Sequence, residues 1–310
     1  VYYRLVEGKC CSEKEQLFLD GHGAYEIFPQ QNFLVINSYP IAYWVSDQLI
    51  ANLSNDILDD LAQVKQGLAT GDNPRFLRCW HEVPFNKSYL IASSCEDALL
   101  SKKKWFPCSK GGSFRRWYGN NEFFIAFDSE NFTALEDGGN HLPSRQLYFK
   151  DSYTWSVVSS SKISFRKTCN SVFEHTGSFV IPNNESDFNY LLGFVNSAVT
   201  QSYMDIANSG LNYREGGVRA LPVIFDSRKD GISRIVVDNT SISKQDWDAH
   251  ETSWDFKKND LLRVLSEEQD LSHQDSWYLD TLMEYYKSEW QGRFEELHAN
   301  EEELNHQFID

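Results

Sequence analysis

Between Ala98 and Asn121 the chain carries six cations and no acid, and aromatic residues stand among them. The cations are Lys102, Lys103, Lys104, Lys110, Arg115 and Arg116; the aromatics are Trp105, Phe106, Phe114, Trp117 and Tyr118. Gly111, Gly112 and Gly119 allow a partner to come close to the backbone. Two arrangements satisfy such a stretch. One is a solvated basic loop leading into a strand whose aromatics enter the core. The other is a surface for a polyanion that also carries flat rings, which describes nucleic acid.

A net charge of −16 would ordinarily argue against DNA, but it is unevenly spread. From Asp246 to Asp310 there are 18 acids against 5 bases, a balance of −13, which leaves −3 for everything before it. The acidity belongs to the tail, and the centre can hold a basic face. Hydrophobic residues make up 41% of the 310, so a folded core is expected. No apolar run is long enough for a membrane span and no signal peptide is visible, so a cytoplasmic protein is expected. Six cysteines without a CxxC pair, and histidines without zinc-site spacing, read as scattered reduced thiols with no structural metal. Val1 in place of Met, and Asp310 ending a helical pattern without a cap, lead to the expectation of a piece of a longer polypeptide.

Along the chain, the GHG at Gly21 to Gly23 is a turn at best. SYPIAYWVSD reads as a helix start, with Ser38 as cap, Pro40 in the first turn, and Ile41, Trp44, Val45, Leu49 and Leu53 as core. Gly67 to Val83 reads as a small-residue loop leading into a strand. Within it, Asn73-Pro74-Arg75-Phe76 resembles the NPP[YF] loop of amino-methyltransferases, but Arg75 replaces the second proline and no apolar strand precedes it. It reads as a decoy. EFFIAF and RQLYF suggest short strands, and Thr154 to Pro182 a half-buried sheet whose Lys162, Arg166 and Lys167 could meet phosphates. YLLGFVNSAVTQSYMDIA reads as a buried helix, and LNYREGGVRALPV as a Gly-rich loop into another element. Leu282, Met283, Tyr286, Trp290, Phe294, Leu297, Leu304 and Phe308 step at helical intervals among acids, which predicts an amphipathic helix or helix pair.

With these segments in view, the chain resembles the C-terminal portion of the adenine-specific DNA methyltransferases of BREX phage-defence systems, the PglX family. The resemblance rests on SYPIAYWVSD, GLATGDNPRFLRCWHEV, WFPCSKGGSFRRWYGNNEF, YLLGFVNSAVTQ with LNYREGGVRALPV, ETSWDF and ANEEELNHQFID, which occur in the family's order over residues 38 to 310. It implies an α+β fold: a connector ending a methyltransferase region over 1–64, a mixed DNA target-recognition domain over 65–240, and an acidic amphipathic helical tail over 241–310. It also implies double-stranded DNA, the methyltransferase domain of the same parent and other defence proteins as partners. S-adenosylmethionine would belong to the parent, because an FxGxG loop and an intact NPP[YF] are missing here. No catalytic, cofactor-binding or metal-binding residue is therefore assigned to this chain.

Under that reading Lys102, Lys103, Lys104 and Lys110 would contact phosphates, as would Lys162, Arg166 and Lys167. Arg115, Arg116 and Asn120 would read base edges, because Arg pairs bidentately with guanine and Asn with adenine. Thr70 and Asn73 would touch DNA or the methyltransferase domain. Two other classes compete. A carbohydrate-active protein would use the many aromatics and two carboxylates among Asp128, Glu130, Glu136 and Asp137. A structural module would use the acidic tail to bind a defence protein or imitate the charge of DNA.

Overall fold

Short runs of β-branched and aromatic residues bounded by turn-formers build the sheets of the computed structural model. It describes residues 2–22, 24–25, 33–34, 36, 40–207, 210–225, 227–267 and 279–309. The strands are β1 (Tyr2–Tyr3), β2 (Ala24–Tyr25), β3 (Ala62–Lys65), β4 (Leu77–Cys79), β5 (Trp105–Ser109), β6 (Trp117–Tyr118), β7 (Phe123–Ala126), β8 (Ser152–Trp155), β9 (Phe165–Thr168), β10 (Val172–Phe173) and β11 (Phe179–Pro182). Beside the small β1–β2 pair lie a four-stranded sheet, β10-β5-β7-β4, and a five-stranded sheet, β3-β11-β8-β9-β6. Each is antiparallel apart from one parallel edge pair, β10 on β5 and β6 on β9. Helices segregated from two mixed sheets make this an α+β fold.

Each sheet has its own core. Phe106, Ile125, Phe127, Tyr148 and Phe173 fill the space on the four-stranded sheet. Tyr153, Trp155 and Phe165 of the five-stranded sheet pack against Leu191, Leu192, Val195, Val236 and Leu304 from the helices. The sheets meet where Phe173 stacks on Phe179 and where Ser109 Oγ hydrogen-bonds Thr154 Oγ1 at 3.2 Å.

Several expectations change. Ser38 lies outside the described residues, and the helix begins later, at Asp47, with Ser46 Oγ accepting from Leu49 N at 3.3 Å. Trp44 is 36% exposed and lies under the Arg4 guanidinium at 4.6 Å, so it is not a core residue. RQLYF forms a 3-10 turn over Arg145–Leu147 in place of a strand. The apolar run after Asp187 is two helices, Phe188–Val195 and Ala198–Ala207. Asn196 causes the break: its amide accepts from Phe165 N and donates to Phe165 O, both at 2.9 Å, clipping the turn to β9.

The expected boundary at 240/241 falls inside one continuous helix, Lys229–Asp248. Ile232, Val236, Asn239, Ile242, Ser243 and Trp247 recur on one buried face of it, so the acidic segment grows out of the body without a joint. The amphipathic tail is a single helix, Leu279–Ile309, which returns Leu304 and Phe308 to the core of the five-stranded sheet.

Candidate nucleic-acid interface

The residues selected for DNA contact fall into separate places. Lys102, Lys103 and Lys104 follow the helix Cys95–Leu100, where cations suit the carbonyl end of the helix dipole. Lys102 takes a left-handed backbone at φ +55°. Lys103 Nζ donates to Asn86 O at 2.6 Å, and Lys104 Nζ lies 5.6 Å from the Trp105 ring centre. Lys102 and Lys104 are exposed. Lys110 stands at the far end of β5, roughly 20 Å along the strand from Lys104. Its ammonium is 5.0 Å from the Phe123 ring centre.

The base-reading candidates are engaged within the protein. Arg115 pairs with Asp246 and donates Nε to Tyr118 O at 3.0 Å, with its guanidinium over Trp247. Arg116 Nη1 donates to Glu301 Oε2 at 2.6 Å. Asn120 is 7% exposed and donates Nδ2 to Ser113 O at 2.9 Å. These three side chains therefore hold the stretch to itself and to the helices behind it, which corrects the expectation that they point at a groove. Between the stretch and the tail lies a cavity of about 330 Å³ lined in part by Phe114, Trp290, Phe294 and Leu297.

Arg166 is 2% exposed, on β9 beneath the loop that joins β5 to β6, and cannot touch a phosphate from the surface. Burial lowers its pKa to about 10, with the Arg115 charge adding to the effect and Glu122 opposing it. Lys167 Nζ is 3.8 Å from Asp151, and Lys162 is exposed in the turn before β9.

Thr70 and Asn73 do come together. Thr70, 5% exposed, donates Oγ1 to Asn73 Oδ1 at 2.5 Å. Their loop is pinned from 71 residues away: Ala69 N donates to Asn140 Oδ1 at 2.7 Å and Asn140 Nδ2 donates to Gly67 O at 3.2 Å. Gly139 beside it has φ +52°, and a Cβ there would meet Ala69 O at 1.9 Å. In the NPRF segment, Phe76 is 3% exposed and packs in the core of the four-stranded sheet. It offers no face to a flipped base. Two carboxylates of the carbohydrate reading serve local structure: Asp128 caps the helix Ser129–Asp137, and Glu136 pairs with Arg145.

Residue-type reasoning missed the partners. Glu301 accepts from both Arg116 and the Trp117 indole, and Asn305 Oδ1 caps the helix Ala198–Ala207 by accepting from Ala198 N at 2.7 Å. Both belong to ANEEELNHQFID, part of the stretch whose spacing predicts an amphipathic helix. Thr252 and Trp254 of ETSWDF likewise dock on the four-stranded sheet, Thr252 O accepting from Trp80 Nε1 at 2.9 Å and Trp254 lying 5.3 Å from Phe124.

No family model matches the chain. It is 30% identical over 326 residues to the adenine-specific methyltransferase PglX of Lacticaseibacillus casei (strain Zhang), covering 100% of this chain and 26% of that protein. It is 31% identical over 266 residues to the adenine-specific methyltransferase BrxX of Escherichia coli O9:H4 (strain HS), covering 84% of this chain and 21% of that protein. The chain thus spans about a quarter of the length of the curated relatives it matches. Among solved structures, the type IIL restriction-modification enzyme MmeI in complex with DNA is similar over 77% of this chain and 36% of that one, at 12% identity and a TM-score of 0.40.

Proposed function

The chain is homologous to part of the adenine-specific methyltransferases PglX and BrxX, and from that premise we propose that it is the DNA target-recognition part of such an enzyme. The observation that carries the reading is the extent of the match to PglX, which runs through this whole chain. In this reading the two sheets form the recognising body, and the helices Lys229–Asp248 and Leu279–Ile309 brace it from behind. In this reading the unit extends past residue 240, the end that the resemblance implies.

The phosphate contacts in this proposal are Lys102, Lys103, Lys104 and Lys110, whose ammonium groups lie at or near the surface, with Lys162 and Lys167 secondary. Thr70 and Asn73 sit on a loop fixed by Asn140, a rigid mount suited to a partner domain or to DNA. Methyl transfer and S-adenosylmethionine belong, in this reading, to another part of a longer polypeptide.

The test is duplex binding by the full chain, followed by fluorescence anisotropy over a range of salt. Affinity should fall with salt on a log–log line whose slope reports the phosphates contacted. Absence of binding to a pool of random duplexes at low salt would sink the proposal.

A further inference from the structure

Arg166 is a fully buried cation with no ion-pair partner among the described residues, and the Glu122 charge acts on it without pairing. Its Nη2 reaches Ser156 Oγ at 3.4 Å, its Nη1 is buried with no acceptor, and among the described residues no carboxylate forms an ion pair with it. A charge in that position destabilises the fold by itself unless something compensates it. With a pKa of about 10 it remains a cation at neutral pH.

What covers it is thin. Ser156 Oγ, in contact with the guanidinium, donates to Gly112 O at 2.8 Å. Arg115 N donates to Ser164 Oγ at 3.3 Å, and Asn120 Nδ2 holds Ser113 O, so the cover is fastened on both sides. Gly112 has φ +138°, and a Cβ there would press on Asn120 Nδ2 at 2.8 Å, so glycine is required. Gly112 and Ser113 are exposed, and Lys110, half-buried with its ammonium over the Phe123 ring, opens the loop. A cation below a glycine loop, a second cation at its edge and a hydroxyl on its surface are the chemistry that receives a tetrahedral oxyanion.

We infer that the loop Lys110–Ser113, with Arg166 beneath it, is a site for one phosphate group. Under the function proposed above, on which only the source of the anion rests, that group is a phosphodiester of the DNA backbone. Arg166 acts through its field across the loop and gains there an anion to supplement the unpaired Glu122 charge.

The test compares full-length wild type with Arg166→Met, Arg166→Lys and Lys110→Gln. Thermal unfolding is followed in sodium phosphate and in sodium chloride at equal ionic strength, and binding of a short labelled duplex is titrated with salt. Wild type should gain more in Tm from phosphate than from chloride. Arg166→Met should lose that gain while unfolding, without phosphate, at or above the wild-type temperature, because an unpaired buried charge has gone. Arg166→Lys should keep most of the gain. Duplex affinity of Arg166→Met should fall roughly three- to tenfold, with the salt slope reduced by about one. A folded Arg166→Met with the wild-type phosphate response and slope overturns the inference. If that variant does not fold, Lys110→Gln decides, and an unchanged response and slope there overturn it too. If the phosphate response is lost in the variants while wild type binds no duplex, the site stands with free phosphate as its anion and the DNA reading falls.

Discussion

Arg116 and Glu301 meet at 2.6 Å across 185 residues of chain, and the same carboxylate takes the Trp117 indole N–H at 2.7 Å. Trp117 has φ +69° and is 1% exposed, a backbone a bulky residue rarely adopts. Glu301 is among the contacts that hold it there. The strain sits where the β5–β6 loop enters the five-stranded sheet, so the tail helix fixes the end of the basic stretch.

Glu301→Ala should therefore destabilise the protein by about 2–3 kcal/mol, since it strips acceptors from two largely buried donors at once. Glu301→Gln should recover part of this loss. Urea unfolding measures both, and a change below about 0.5 kcal/mol for the alanine variant would show that the joint carries no stability.

Asn140→Ala removes the two side-chain hydrogen bonds by which Asn140 pins the loop Gly67–Asn73. The expected result is a loss of about 1–3 kcal/mol and faster amide exchange at Ala69. Exchange at Ala69 as slow as in wild type would mean that other contacts hold the loop.

Replacing Lys102, Lys103 and Lys104 together by Gln should leave thermal stability nearly unchanged, because the side chains lie at the surface after a helix end. Duplex affinity should drop, and the salt slope should fall by about one for each lysine that meets a phosphate. An unchanged slope would remove this turn from the interface.

The buried thiols set an alkaline limit. Burial raises Cys95 from 9.0 to about 11, against a smaller opposing effect of Arg145, and raises Cys108 further, helped by Glu174. Both are held neutral in the fold, so their contribution is intact below the unfolded thiol value and is lost as pH climbs from about 9 toward 11. Unfolding free energy should be level to about pH 8 and then decline, less steeply in Cys108→Ala. Exposed Cys10, whose pKa is lowered chiefly by its hydrogen bond with Ser12, should react with a thiol reagent well before Cys108.

Local pattern was enough where one face of an element decided its structure. The three- and four-residue spacing from Leu282 to Phe308 is the helix Leu279–Ile309, and EFFIAF is β7. It failed where a distant side chain intervenes. The run around Asn196 has helical periodicity throughout, yet the amide of Asn196 bonds to Phe165 and splits it. Residue type also gave Arg115 and Arg116 to DNA, because nothing local marks Asp246 and Glu301 as their partners.

The sequence by itself determined the two-part character of the chain, a strand-and-turn centre followed by acidic helix, since periodicity and charge are properties of neighbouring residues. It also determined the family resemblance, through segments such as ETSWDF and ANEEELNHQFID. Only the tertiary structure decided what those segments do. They are joints, carrying Trp254 to Phe124, Asn305 to Ala198 and Glu301 to Arg116. It also decided which cations face water, because a guanidinium is free or engaged according to what folding brings within about 3 Å of it, and sequence distance does not measure that.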